Sequence, residues 1–177
     1  MIRQTFISHN QADTPWCEQL RADLIKRLRL ERHPDLTYLD TNMAPGLKWE
    51  DHVWAVLKRS GNVLVVVSSH AAVSSWVHDE VECAVKLQVA DPSIAIIPLI
   101  LDMTSPARVH PELAKYQYAD FTHPIKYDES LRRLVYVLKH PEVLTGGGGT
   151  TVIPDEPPVV RILKAVGRYF RGIFTGL

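Results

Sequence analysis

A tryptophan and a glutamate four residues apart, Trp76 and Glu80, are the pair in this chain best arranged for chemistry. They stand in the stretch Ser74-Ser75-Trp76-Val77-His78-Asp79-Glu80-Val81-Glu82-Cys83, which reads as the start of a helix. Four residues is one helical turn, so the indole and the carboxylate lie side by side. Val77, Val81, Ala84 and Val85 repeat at helical spacing and mark the buried face, with Trp76 and Glu80 on its flank. Ser74 or Ser75 can cap the first free N–H groups. Asp79 and Glu80 are expected near the first turn, where the helix dipole favours negative charge. An aromatic wall beside a carboxylate suits a site that stacks a flat ring and engages ribose hydroxyls. The same pair also fits a packed Trp beside a Glu that complements the dipole.

Other constellations carry less. His78 and Glu82 share a helix face at i, i+4 but have no third partner at metal-ligand spacing, so no metal is expected. Ser8-His9 and Ser69-His70 lack the G-x-S-x-G context of a nucleophile elbow. Gly146 to Gly149 lacks the Lys of a phosphate loop and reads as linker. Trp16, Trp49 and Trp54 read first as packing residues, and Trp49 also borders the candidate cleft.

The elements that must position Trp76 and Glu80 alternate along the chain. Thr5 to Ser8 is a short strand, followed by the polar turn His9-Asn10-Gln11-Ala12. Thr14-Pro15 looks like an N-cap with proline at the first helical position. Trp16, Leu20, Leu24 and Leu28 then carry a helix to about Arg29 or Leu30. Leu36 to Leu39 is a second strand ending at Asp40, and Thr41 to Lys48 is a loop punctuated by Pro45-Gly46. A second helix from Trp49 stops at Ser60-Gly61. Val63 to Ser68 is a β-branched run of the kind buried on both faces of a parallel sheet. Ile94 to Leu101 is a fourth strand whose Pro98 implies a strand end or bulge. Tyr116 to Phe121 is expected as a fifth strand. Leu131, Leu134, Val135 and Leu138 form a last helix that stops before Pro141.

Five strand–helix alternations in 177 residues predict one α/β domain, a parallel sheet with helices on both faces. Ligands of such sheets bind outside the carboxyl ends of the strands. Ser8-His9-Asn10, Asp40, Ser68 and Asp102 should line that edge, and Trp76 and Glu80 follow the loop leaving the third strand.

Taken in order, Phe6-Ile7-Ser8, Asp40 before Pro45-Gly46, Val63 to Ser68 and Ser75 to Glu80 resemble a TIR domain. The kind resembled is found in bacterial defence systems and in NAD-cleaving TIR enzymes. The resemblance covers about residues 3–140. It implies a flavodoxin-like five-stranded parallel sheet and, by motif match, Glu80 as catalytic residue with Trp76 beside it. It also implies substrate contacts from His9, Asn10 and Gln11, and from Ala44, Gly46 and Trp49 around the Pro-Gly loop. NAD+ would be a substrate, with no separate cofactor, giving ADP-ribose or a cyclic product. Partners would be a homo-oligomer or other TIR domains, in a defence or signalling pathway. An adaptor acting only by TIR–TIR association is the alternative. Related enzymes often place an Arg after the first strand, and this chain has none there.

The bulk numbers agree with a cytoplasmic globular domain. Twenty basic and twenty acidic residues cancel, so no global field directs the chain to nucleic acid. Two cysteines without metal spacing fit a reducing compartment. The first residues lack a signal-peptide core, and no apolar run is long enough to span a bilayer. Residues 141–158 are expected as a Gly/Pro-rich linker. Residues 159–177 read as a basic amphipathic helix, with Ile162, Leu163, Val166, Phe170, Ile173, Phe174 and Leu177 on one stripe and Arg161, Lys164, Arg168 and Arg171 interspersed. That tail could meet a membrane surface, its own domain or a partner subunit.

Overall fold

The β-branched runs at Thr5–Ser8 (β1) and Asn62–Val67 (β3) pair side by side at the centre of a five-stranded sheet. The structure, a computed structural model, describes residues 3–39 and 49–143. The other strands are Thr37–Leu39 (β2), Ala95–Ile100 (β4) and Ala119–Asp120 (β5). All pairings are parallel, and the order is β2-β1-β3-β4-β5. The helices are Thr14–Leu28 (α1), Trp49–Arg59 (α2), Ser75–Ala90 (α3), the single turn Pro106–Val109 (α4) and Tyr127–Lys139 (α5).

Strand alternation divides the core in two. Phe6, Val63, Val65, Val67, Ile96 and Ile100 meet α2 and α3 through Val53, Val56, Leu57, Val77, Val81 and Ala84. Ile7, Leu64, Val66, Ile97 and Leu99 meet α1 and α5 through Leu20, Leu24, Leu28, Leu131, Leu134 and Leu138. The sheet thus has helices on both faces, as expected. Each fully buried aliphatic side chain contributes about 1.5–3 kcal/mol, which offsets the entropy of ordering this chain.

Four local expectations are corrected. Pro98 sits inside β4, opposite Val65, without a bulge. The amides of Ala95 and Leu101 bond to the β3 side, whereas the Ile100 carbonyl accepts from Phe121 on the β5 side. Alternation then turns Pro98 toward the β5 side, where β5 pairs only at Leu99 and Ile100, so the missing N–H costs no ladder bond. The fifth strand is two residues, not Tyr116 to Phe121. Pro111–Lys115 forms a 3-10 turn and Tyr116 donates its hydroxyl hydrogen bond to Gln88, which ties the preceding segment to α3 instead. Thr14 is the first residue of α1 rather than its cap, and Asp13 occupies the cap position without capping. Asp79 and Glu80 lie past the first turn of α3, which holds no acidic residue, so the helix dipole does not account for Glu80.

Of the expected linker, Pro141–Val143 is a 3-10 turn. The rest of the linker and the tail at 159–177 lie outside the described residues, as does the Pro-Gly loop at 40–48. Among the described residues, no helix is long and apolar enough to cross a membrane.

Candidate active site

The strand order reverses between β1 and β3, because the chain goes from β1 outward to β2 and returns to β3 on the other side. In open sheets of this kind ligands bind where the order reverses, which here is at the carboxyl ends of β1 and β3. Two polar clusters sit there, one on each face of the sheet.

The first is built on Glu80. Ser74 caps α3 by accepting from the Val77 amide at 3.3 Å, which sets the helix start directly after the loop leaving β3. Val77, Val81 and Ala84 anchor the helix on the sheet and carry Glu80 inward, to 1 % exposure. The Trp76 indole N–H donates to Glu80 Oε1 at 2.8 Å. The Ser8 hydroxyl, at the end of β1, donates to Glu80 Oε2 at 2.6 Å. Ser8 shares a strand face with Phe6, whose side chain belongs to the α2–α3 core, so alternation alone aims its hydroxyl at α3. Burying a carboxylate is costly unless donors meet it, and these two come from different elements. Trp76 itself is 36 % exposed.

The second cluster, on the α1 face, joins Ser68, expected at this edge, to Asp13, which sequence patterning did not single out. Asp13 is 8 % exposed and accepts from the Ser68 hydroxyl at 2.6 Å, while His70 Nδ1 lies 3.2 Å from its other oxygen. Ser68 alternates with Leu64 and Val66 and therefore faces α1. The sequence signal was an acidic residue immediately before a helix opening in Thr-Pro, at the strand-end edge. These bonds join the loop after β1 to the loop after β3. Asp102, after β4, extends the tie: its two oxygens accept from the amides of Ser69 and Thr104, each at 2.8 Å. Burial would raise the Asp102 carboxyl, but the hydrogen bonds from Thr104 and Ser69 outweigh it and hold the pKa at about 2.

The remaining predicted residues fall as follows. His9 is buried, with Nδ1 facing the Ile7 carbonyl at 3.4 Å and Nε2 the Thr14 hydroxyl at 3.1 Å. Asn10 accepts from the Ala12 amide at 2.9 Å and starts a 3-10 turn in which Gln11 is exposed. The structure therefore brings Trp76, Glu80 and the β1 end together, with His9, Asn10 and Gln11 following directly. Trp49 opens α2; Ala44 and Gly46 lie outside the described residues. His78 and Glu82 gain a neighbour in His110, whose Nε2 is 3.0 Å from Glu82. His110 Nδ1, however, accepts from the Glu112 amide at 3.2 Å, so that ring is already held from both sides. Among the described residues no group of His, Cys, Asp and Glu is placed to hold a metal ion. Burial pushes the Cys17 thiol up to about 12 and raises that of Cys83, so neither is poised as a thiolate.

The profile of the TIR domain family matches residues 5–135. The chain belongs to the TIR domain family. Its fold is similar to that of the TIR domains in the activated Roq1 resistosome that directly recognises the pathogen effector XopQ. That likeness has a TM-score of 0.59 at 15 % identity, over 75 % of this chain and 96 % of that one. It is equally similar to the TIR domain of the Toll-related receptor TRR-2 from Hydra magnipapillata, with a TM-score of 0.58 at 17 % identity, over 77 % and 98 % of the two chains. No curated protein sequence matches. At these identities the likeness establishes the fold, and the chemistry of this TIR domain must be argued from its own residues.

Proposed function

We propose that this TIR domain is an NAD+ glycohydrolase and that Glu80 is its catalytic residue. The observation that carries the reading is a carboxylate, 1 % exposed, held by Ser8 and Trp76 at the switch-point edge of the sheet. Cleaving NAD+ breaks the bond between ribose C1′ and the nicotinamide nitrogen. The electron pair leaves with nicotinamide, which departs neutral, so no general acid is required. Positive charge develops on the ribose, and a carboxylate beside it in a low-dielectric wall stabilises that charge and can hold the ribose hydroxyls. Water then adds to C1′ and gives up a proton to give ADP-ribose, or the adenine ring captures C1′ to give a cyclic product. Trp76 supplies the wall. His9, Asn10 and Gln11, with Ala44, Gly46 and Trp49, are proposed to contact the rest of NAD+, and assembly with further copies or other TIR domains to switch the enzyme on, in defence or signalling in the cytoplasm.

A second reading, an adaptor that acts only through TIR–TIR association, is favoured by how deeply Glu80 is enclosed within its own chain. The two readings separate in one experiment: concentrated protein is incubated with NAD+ and nicotinamide is followed. Release that Glu80→Gln abolishes supports the enzyme. Assembly without release supports the adaptor.

A further inference from the structure

The two oxygens of Glu80 are held by partners of different exposure. Oε2 accepts from Ser8, a residue with 0 % exposure whose backbone is locked in the sheet opposite Val65. Oε1 accepts from Trp76, which is 36 % exposed on the outer flank of α3. We infer that Ser8 is the positioning residue of the site: it fixes Oε2, so that Oε1, once the Trp76 indole yields, is the oxygen presented to a ribose hydroxyl. The inference rests on the glycohydrolase reading and assigns the two oxygens separate tasks within it.

The physical reason is the direction of the hydrogen bond. A hydroxyl that donates to a carboxylate favours the ionised group and fixes its plane. A strand end in the middle of the sheet is the stiffest support the fold offers. Removing that donor takes one of the hydrogen bonds that orient the carboxylate and makes it easier to protonate. No other charge need change. Besides Glu80 itself, the titratable residues on the elements around it are His78, Asp79, Glu82, Cys83 and Lys86 on α3, His9 after β1, and Glu50, Asp51, His52, Lys58 and Arg59 on α2. None of them is bonded to Ser8 among the described residues.

Ser8→Ala removes one oxygen and adds nothing to a packed site. In the active assembly, kcat for nicotinamide release is expected to fall about 10–100-fold, the loss of one hydrogen bond to a charged group. KM is expected to change less than threefold, and the acid limb of the pH–rate profile to move to higher pH. Ser8→Cys keeps the shape, with a slightly larger atom and a weak donor, and should fall close to Ala; a Cys variant as active as wild type would reduce Ser8 to a space-filler. An independent readout needs no turnover: titration of the Glu80 side-chain carboxyl carbon by NMR in full-length wild type and Ser8→Ala, with circular dichroism confirming the fold. A higher midpoint in the variant supports the inference. Equal midpoints overturn it, whether or not the protein cleaves NAD+. Activity lost in Glu80→Gln but unchanged in Ser8→Ala would overturn it too while leaving the glycohydrolase reading in place. A protein that shows the NMR shift but no nicotinamide release would remove the glycohydrolase reading and leave Ser8 as what holds Glu80.

Discussion

Replacing Asp102 with Asn probes the tie between the loop after β3 and the loop after β4. Asp102 bonds two amides with two different oxygens, Ser69 through Oδ2 and Thr104 through Oδ1, each at 2.8 Å. Asn has one acceptor oxygen, and its amide nitrogen would point a donor at the second N–H. One charge-assisted hydrogen bond is therefore lost outright and the other becomes neutral. The titration gives an independent magnitude. The folded pKa of about 2 lies below the ordinary 3.8, a gap of roughly 2 kcal/mol at most. Asp102 is partly exposed, so solvent screening brings the expected contribution to ~1 kcal/mol. The sign follows from the lowered folded pKa: this stability is present above pH 4 and is lost as pH falls toward 2. Urea unfolding of wild type and Asp102→Asn at pH 7, 4, 3 and 2 should show a difference of about 1 kcal/mol at neutral pH that closes toward pH 2. A difference absent at pH 7, or constant down to pH 2, would refute the reasoning.

Glu82→Gln should retain nicotinamide release, because Glu82 pairs with Lys86 and His110 rather than with Trp76. Its side chain is 43 % exposed, so the stability cost is within about 1 kcal/mol in urea unfolding. Leu57→Ala should cost about 2–5 kcal/mol, since Leu57 is fully buried where α2 joins the Glu80 face of the core; a loss under 1 kcal/mol would contradict that packing. Deleting residues 159–177 should leave the unfolding midpoint of the domain unchanged, because the sheet and both helix layers are complete by residue 139. Flotation on anionic vesicles that disappears with the deletion and fades with salt would assign the tail to a membrane surface, and a smaller oligomer without flotation to assembly.

The central strands were readable because their residues answer to burial alone. Val63 to Val67 has no polar residue to place, and its neighbours follow from the alternation of strand and helix. Trp76 and Glu80 were readable as a pair because one turn of helix fixes their spacing whatever the tertiary context. What that spacing could not show was depth. Glu80 lies in the core because Ser8, 72 residues away, meets it there, and the pairing depends on which face of β1 packs on α3. The alternation of Phe6 and Ser8 held that information, but only once α3 was known to cover the Phe6 side. Asp13 drew no reading for the same reason: it stands beside Thr14-Pro15, which reads as a helix boundary, whereas its carboxylate is used on Ser68 and His70 in the loop after β3. The fifth strand was overestimated because Tyr116 and Tyr118 carry strand propensity, yet Tyr116 is committed to Gln88 on α3 and Tyr118 is 58 % exposed.

Glu80→Gln tests the central claim most directly. Gln keeps the shape of Glu80: its oxygen can accept from Trp76, and its amide can donate to Ser8, whose hydroxyl turns to accept. The fold should therefore survive while the charge that stabilises the ribosyl cation is gone. With wild type and variant at equal high concentration, matched in circular dichroism and in oligomer size, nicotinamide release from NAD+ should fall at least ~100-fold in the variant. Equal rates in the two proteins, or no release from assembled wild type, would contradict Glu80 as the catalytic residue of this domain.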